Sequence, residues 1–424
     1  MATWLVARGN KQEPDAMIER KEYLQRLYDW KDEQVIKVVT GIRRCGKSTL
    51  LKQYQEKLMQ SGILPEQIIS INFEDLEYEE LLDYKALYRY IKERLCEGKM
   101  TYIFLDEIQK VDSFEKAVDS IYIKDMTDIY ITGSNAYMLS GDLATLLTGR
   151  YVEISMLPFS FRDYYALTAP ELSPDAAFAD YMRYGGFPYL STMKKTPEKA
   201  AVYLEGIYNT VIIKDIEDRQ NRRENDPSKR KITDIALLKT IARYMASVVG
   251  SPVSVKSVTD YLTSNGRKIS PNTVSDYMEA LKESFIFYKA DRIDIVGKQF
   301  LKSNSKWYVV DLGLRSHMLP RQKYDLGFSI ENIVYFELLR RGCQVNIGKS
   351  GNTEVDFVAH SQDACCYFQV TADMTSEETF SREMRPLESI RDNYEKTVLT
   401  LDRFTAGNYN GIKVINVIDW LLNP

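Results

Sequence analysis

The sequence predicts an α/β protein in which a parallel sheet, covered on both faces, precedes a second α/β unit. Three observations carry that prediction. Short β-branched runs alternate with helical periodicity between Val35 and Thr132, the spacing of βαβ units. A glycine-rich turn, Gly41-Ile-Arg-Arg-Cys-Gly46-Lys47-Ser48, stands between the first strand and the next helix. Beyond about residue 328, strand-like runs around 343–348, 354–359 and 366–371 resume after a long helical interval.

The elements follow in order. Residues 15–31 place apolar side chains at helical spacing, and the run after Gln34 is a buried strand ending before Gly41. A helix from Lys47 to Gln60, a strand Ile68–Phe73, helical stretches near 80–96 and 112–120, and strands Tyr102–Leu105 and Asp128–Thr132 complete the first unit. From 160 to 215 the pattern is helical, interrupted by Gly185-Gly186-Phe187-Pro188, which allows a tight backbone path. Segment 214–231 is dense in both charges and reads as an exposed linker. Residues 233–300 hold three helical segments, the third opening at Ser270-Pro271, and a strand-like Phe285–Ile295, the order of a winged helix. A helix at 331–341, the three strands above, a helix at 381–393, strands 396–401 and 412–416 and a terminal helix make the last unit. The resulting division is 1–160, 161–230, 231–300 and 301–424.

With 424 residues, 44% of them apolar and 27% charged, the chain has the composition of a folded multi-domain protein. A formal net charge of −4 gives no global field that would draw it to nucleic acid or to an anionic membrane, so such binding needs a local patch. No apolar run is long enough for a membrane helix, and the N-terminus lacks the basic-then-apolar pattern of a secretory signal. The five cysteines, at 45, 96, 343, 365 and 366, form no CxxC pair and there are two histidines, which argues against an ordinary zinc site. A reducing cytoplasm is the expected compartment.

The turn at 41–48 fits G-x-x-x-x-G-K-[ST] in its required place between strand and helix. Its glycines let backbone N–H groups converge on phosphate, Lys47 reaches the β- and γ-phosphates, and the Ser48 hydroxyl ligates magnesium. Tyr102-Ile-Phe-Leu-Asp106-Glu107 supplies the complementary acids, Asp106 for magnesium and Glu107 as general base toward the attacking water. ATP and Mg²⁺ are the expected cofactors. Ser134 or Asn135, at the tip of the strand Asp128–Thr132, is a candidate sensor of the γ-phosphate, with a plain turn as the alternative. Arg150, at a loop-to-strand junction, is a candidate arginine finger, with an ordinary surface arginine as the alternative.

Over essentially the whole chain the sequence resembles prokaryotic AAA-like ATPases that join a P-loop domain to a C-terminal domain of unknown function with winged-helix and restriction-endonuclease-like parts. The matching stretches are TGIRRCGKSTLL, IFLDEIQK, ITGSNA, LTGRYVEISMLPFSFRDY, YMRYGGFPYL, KWYVVDLGLR and ENIVYFELLRRG followed by EVDFV and FQV. The resemblance implies an α/β fold: a P-loop NTPase parallel sheet with helical extension, a winged helix, and a C-terminal restriction-endonuclease-like α/β unit. It implies nucleotide binding at Gly41–Thr49, including Arg44, Cys45, Gly46 and Thr49, with Asp106 and Glu107 handling magnesium and water. It also implies that Thr132–Asn135 and Arg150 hold sensor and finger positions.

In the nuclease-like pattern a helical glutamate, an acid at a strand end and an E/Q-x-K strand gather around metal. Glu331, Glu354, Asp356 and Gln369 fit three of these places, Glu354 and Asp356 sharing one strand face. They form a candidate second metal site for phosphodiester cleavage. Thr371 stands where the pattern calls for lysine, so no cation is ready there and cleavage is expected to be slow or absent; Lys349 and Arg382 are the candidate replacements. In the winged helix, Ser270–Tyr277 carries no arginine, and Lys256, Arg267, Lys268 and Lys282 flank it as the charge for DNA binding. The favoured reading is a Mg-dependent ATPase coupling nucleotide state to the winged-helix and nuclease-like module, with DNA as candidate partner and a homo-oligomer if the finger works in trans. The alternatives are a nucleotide-gated protein-interaction switch with negligible turnover and an ATP-regulated metal-dependent nuclease.

Overall fold

Five short strands rich in Ile, Val and Tyr build the first sheet: β1 (Ile36–Thr40), β2 (Ile68–Asn72), β3 (Thr101–Asp106), β4 (Thr127–Gly133) and β5 (Tyr151–Ser155). All pairings are parallel, in the order β2-β3-β4-β1-β5. The computed structural model describes residues 18–134, 147, 149–169, 171–193, 196–211, 232, 234–297, 299–319, 326–362 and 364–423. Every residue of β1 and β3 is buried, as a parallel sheet covered on both faces requires.

Successive side chains of a strand face opposite ways, so Val38 and Val39 enter different cores. Val38, Ile71, Ile103 and Leu105 pack with α3 (Tyr84–Lys92) and α4 (Phe114–Tyr122). Val39, Phe104 and Tyr130 pack with α1 (Lys21–Asp29) and α2 (Lys47–Gln60), in a core that continues into the C-terminal half. The first helix is shorter than its periodicity suggests. Arg20, which caps it, turns inward to donate 3.0 Å to the Leu157 carbonyl and lies over the Tyr23 ring. The helical stretch near 80–96 is likewise divided, because the Asp83 carboxylate accepts from the N–H groups of Lys85 and Ala86 and starts α3 afresh.

Among the described residues four helices follow: α5 (Phe161–Thr168), α6 (Pro174–Tyr184), α7 (Pro188–Thr192) and α8 (Pro197–Asn209). The Gly185-Gly186 turn between α6 and α7 admits no side chain. Gly185 has φ +78°, and a Cβ there would meet Asp311 Oδ1 at 2.1 Å; one on Gly186 would meet the Phe159 carbonyl at 2.4 Å. The charged segment read as a linker, 214–231, lies outside the described residues.

The remaining elements share one mixed sheet. Helices α9 (Ile235–Ser247), α10 (Val255–Ser264) and α11 (Pro271–Glu283) accompany three antiparallel strands, β6 (Pro252–Val253), β7 (Phe287–Asp294) and β8 (Gln299–Val309). After α12 (Leu312–Met318) and α13 (Leu326–Arg340) come β9 (Gln344–Ser350), β10 (Thr353–His360) and β11 (Cys365–Thr371). Then α14 (Glu377–Glu388), β12 (Glu395–Thr400), β13 (Gly407–Tyr409), β14 (Ile412–Asn416) and α15 (Val417–Leu422) end the chain. The strand order is β13-β14-β12-β11-β10-β9-β7-β8-β6. Residue 300 therefore falls inside a hairpin, and β7 pairs in parallel with β9 through Arg292–Asp294 and Ile347–Lys349. The helix expected at 331–341 starts earlier, at Leu326. Residues 329–338 are buried on all sides, so no amphipathic stripe marks its beginning. Similarly, α14 begins at a Ser376 cap and ends before the expected 393.

Candidate functional site

The loop after β1 is shaped by two glycines. Gly41 has φ +144°, and a Cβ there would sit 2.1 Å from the Met156 carbonyl oxygen; Gly46 has φ +107° and opens α2 without any side-chain cap. The first-turn N–H groups of α2 are therefore left for a ligand, at the positive end of the helix. Ile42 and Cys45 are buried beneath the loop, and burial pushes the Cys45 thiol up, so this residue supplies backbone and packing rather than chemistry. Arg44, at φ 68°, and Thr49 are exposed. Lys47 is buried, donates 3.0 Å to the Gly41 carbonyl, and lies 3.6 Å from Glu107 Oε1.

Parallel pairing of Leu105 with Ile131 sets Asp106 and Glu107 beside Thr132. The Thr132 hydroxyl donates 2.5 Å to Asp106 Oδ1 and accepts 2.8 Å from the Glu107 N–H. Burial raises the Asp106 carboxyl, against hydrogen bonds from Thr132 and from the Ser48 hydroxyl. Ser48 and Asp106 are thus adjacent oxygens of the hard type magnesium takes. Burial works the same way on Glu107, but Lys47, Arg43, Gln109 and Ser134 outweigh it and hold the carboxyl below its usual range. Ser134 Oγ donates 3.1 Å to Glu107 Oε2, and the Gln109 amide donates to the same oxygen. Glu107 itself has φ 55°, a left-handed conformation uncommon for such a residue and typical of functional positions.

The structure thus brings together Gly41–Thr49, Asp106, Glu107, Thr132 and Ser134. Asn135 lies outside the described residues. Arg150 is not brought there. Its carbonyl accepts from Ile36 N–H at the start of β1, whereas the loop leaves the other end, roughly 15 Å away at the rise of a strand. Its guanidinium pairs with Asp119 and lies 5.5 Å from the Tyr122 ring. A finger acting within its own chain is therefore corrected by the polarity of the parallel sheet. Gln109 is the site residue that sequence reasoning passed over, although it follows Asp106-Glu107 directly.

The loop opens into a cleft of about 750 Å³ whose opposite wall is Pro188 and Tyr189 of α7 with Val202, Tyr203 and Gly206 of α8. A second pocket, of about 540 Å³, contains Glu331, Glu354, Asp356 and Gln369, assembled as the sequence suggested. The missing cation is present, but from an unforeseen strand. Lys306 of β8 places Nζ 2.9 Å from Glu331 Oε1, 3.1 Å from Glu354 Oε1 and 3.5 Å from Asp356 Oδ1. Burial opposes its charge, yet Glu331, Asp356 and Glu354 outweigh burial and hold the ammonium above its ordinary range. Asp356 is pushed up by burial and by Glu331, against the pull of Lys306 and the Val370 N–H.

Tyr308 donates 2.6 Å to Glu331, Arg292 pairs with Glu354 at 2.9 Å, and Gln369 donates 3.0 Å to Glu383. Lys349, exposed, stands opposite Glu354 in the strand register, and Arg382 lines the pocket paired with Glu383. Among the described residues no group of three or more His, Cys, Asp or Glu is arranged to hold a metal. Here the ammonium occupies the centre that the sequence reading gave to a metal ion.

The loop, its acids and the parallel sheet define a P-loop ATPase domain of the AAA type. A family described as an AAA domain matches residues 33–165, and one described as a domain of unknown function (DUF8612) matches residues 175–325. An uncharacterized protein of Haemophilus influenzae is 39% identical over 411 residues, covering 96% of this chain and 99% of its own. Another, from Methanocaldococcus jannaschii, is 28% identical over 347 residues, covering 77% and 73%. The chain belongs to this prokaryotic family, in which an AAA P-loop domain is joined to the C-terminal domain of unknown function.

Among solved structures, a Walker-type ATPase of Pyrococcus abyssi overlaps 71% of this chain and 96% of its own at 16% identity and TM-score 0.47. The Aeropyrum pernix ORC1 protein, solved in complex with DNA, overlaps 72% and 93% at 15% identity and TM-score 0.28. An AAA P-loop domain implies binding of ATP with magnesium in general terms. No described helix is long and apolar enough to cross a membrane.

Proposed function

We propose that this protein is a Mg-dependent ATPase whose nucleotide state is transmitted to the C-terminal module. In this reading Lys47 and the first turn of α2 hold the phosphates, Ser48 and Asp106 hold magnesium, and Glu107 orients the attacking water. Magnesium, when bound, neutralises charge on the phosphate oxygens. The observation that carries the coupling is the Asp311 carboxylate, at the junction of β8 and α12. Asp311 Oδ2 accepts 2.6 Å from the Gly186 N–H, two residues before the Pro188-Tyr189 wall of the cleft. Asp311 Oδ1 accepts 3.1 Å from the Leu314 N–H and so caps α12. Arg340, at the end of the helix that carries Glu331, donates 3.1 Å to the Pro158 carbonyl beside the same turn. A shift of the wall on nucleotide binding thus pulls on two elements of the second pocket.

The order of α9, β6, α10, α11, β7 and β8 supports a winged helix. Lys256 and Lys268 are exposed as a DNA-facing charge, whereas Arg267 pairs with Asp234 and Lys282 with Glu279. Five free cysteines fit a cytoplasmic protein. The nuclease-like pocket, with its charges already matched, serves as a docking or structural part and does not cut.

The low-turnover alternative draws support from Arg150, which lies far from its own loop. An isolated chain is therefore a slow ATPase, and a second subunit completes the site. Phosphate release tests both points. Glu107→Gln should abolish release while ATP binding remains, and a mixture of inactive Arg150→Ala and Lys47→Ala proteins should recover part of the rate. Wild-type release no faster than that of Glu107→Gln, at every protein concentration, would leave only the switch.

A further inference from the structure

The wall of the cleft opposite the phosphate loop raises the question of what it holds. Tyr189 is 61% exposed and Val202 70% exposed, yet both line a concave cleft. The Tyr189 and Tyr203 rings lie 5.1 Å apart at 41° to each other, so two aromatic faces converge on one opening. Gly206, on the next turn of α8 after Tyr203, leaves its side open, with nothing within 4 Å of where a Cβ would stand. Pro188 ties this wall to the loop, its ring 3.8 Å from where a Cβ of Gly46 would stand. Arg44 of the loop lines the same cleft as Tyr203.

Resting on the phosphate-loop reading above, we propose that Tyr189 and Tyr203 form a stacking platform for the nucleobase, reading its face and not its edge. The argument against edge reading is the chemistry of the lining. Apart from the loop and the acids Glu74 and Glu107, the polar side chains among the described lining residues are the two phenols and Thr210. The Thr210 hydroxyl already donates 2.7 Å to the Gly206 carbonyl. Against the described side chains of this wall a base meets aromatic and aliphatic surface, and stacking, which every purine offers, is what holds it. Adenine and guanine nucleotides are therefore bound with similar affinity, and the site selects for a triphosphate bearing a large flat ring.

The test compares ATP, GTP and inorganic tripolyphosphate by calorimetry on the full chain. Tyr189→Ala should weaken ATP about tenfold, the scale of one lost stacking partner, and leave tripolyphosphate unchanged. Tyr189→Phe should bind ATP as the wild type does, and GTP should bind within about fivefold of ATP. Because Tyr189 is largely exposed, its truncation removes little packing and the variant should fold normally.

Wild-type ATP affinity in a Tyr189→Ala, Tyr203→Ala double variant would overturn the platform. So would equal losses in Tyr189→Phe and Tyr189→Ala, which would mean a hydrogen bond, or a hundredfold preference for ATP over GTP. Failure of the phosphate-loop reading itself would look different, as tripolyphosphate binding that Lys47→Ala does not diminish.

Discussion

Lys47 and Lys306 are buried to the same depth, their side chains 3% and 4% exposed, and they differ only in company. Lys47 has a backbone carbonyl at 3.0 Å and one carboxylate at 3.6 Å, and it faces an open cleft. Lys306 has three carboxylates within 3.5 Å and a tyrosine that also bonds one of them. A buried charge is tolerable only when opposite charge and hydrogen bonds compensate it. At Lys306 the chain supplies that compensation itself; at Lys47 much of it is left for an anionic ligand. Depth alone therefore does not mark a binding site, and the state of the counter-charge does.

The largest expected effect tests the self-compensated side. Lys306→Ala leaves three carboxylates facing one another and should destabilise the protein by about 3–5 kcal/mol, read as a lowered denaturation midpoint. The same variant should gain a midpoint increase with millimolar Mn²⁺ that the wild type lacks. An equal increase in the wild type would show that metal already displaces the ammonium, and the contrast would collapse.

Asp311 gives an effect of the order of 3 kcal/mol through pH. Burial pushes its carboxyl up to about 6 from the ordinary 3.8, against the N–H groups of Gly186, Leu314 and Gly313. The folded state then binds the proton more tightly than the unfolded state does. The stability contributed is fully present below about pH 4 and is lost as pH rises through 6. Asp311→Asn should flatten the stability profile across that window, measured by urea unfolding at successive pH values. An unchanged slope would mean that the latch carboxylate is already ionised at low pH.

The smallest effect concerns Lys47. Lys47→Ala should weaken ATP by about 2 kcal/mol or more while moving the denaturation midpoint little, the reverse of Lys306→Ala. A variant that loses stability and keeps ATP would place Lys47 in the same class as Lys306.

The first site was legible because its parts are local. Gly41–Ser48 and Asp106-Glu107 are contiguous runs, and their meeting needs only that adjacent strands be parallel. The distance of Arg150 from its own loop follows on the same ground, since a residue that begins a strand parallel to β1 must sit at the edge away from the loop. Lys306 was not legible. Its partners lie 25, 48 and 50 residues further along the chain, on α13 and β10, and the division at 300 cuts through β8, for which the sequence showed no strand. An isolated lysine before Trp307-Tyr308-Val309-Val310 reads as a solvated strand end until the sheet is assembled. The early start of α13 was hidden for a related reason, because a helix buried all round has no periodic face to read.

The parallel seam between β7 and β9 has a mechanical consequence. A hairpin anchored only at its base would swing like a flap, whereas this one, next to the end of a nine-stranded sheet, is tied near its tip to β9 through Arg292–Asp294 and on its outer edge to the two residues of β6. A load applied at its tip, near Val296, is therefore carried as shear through β9 to β10, and reaches Glu354, the partner of Lys349, without passing through any loop.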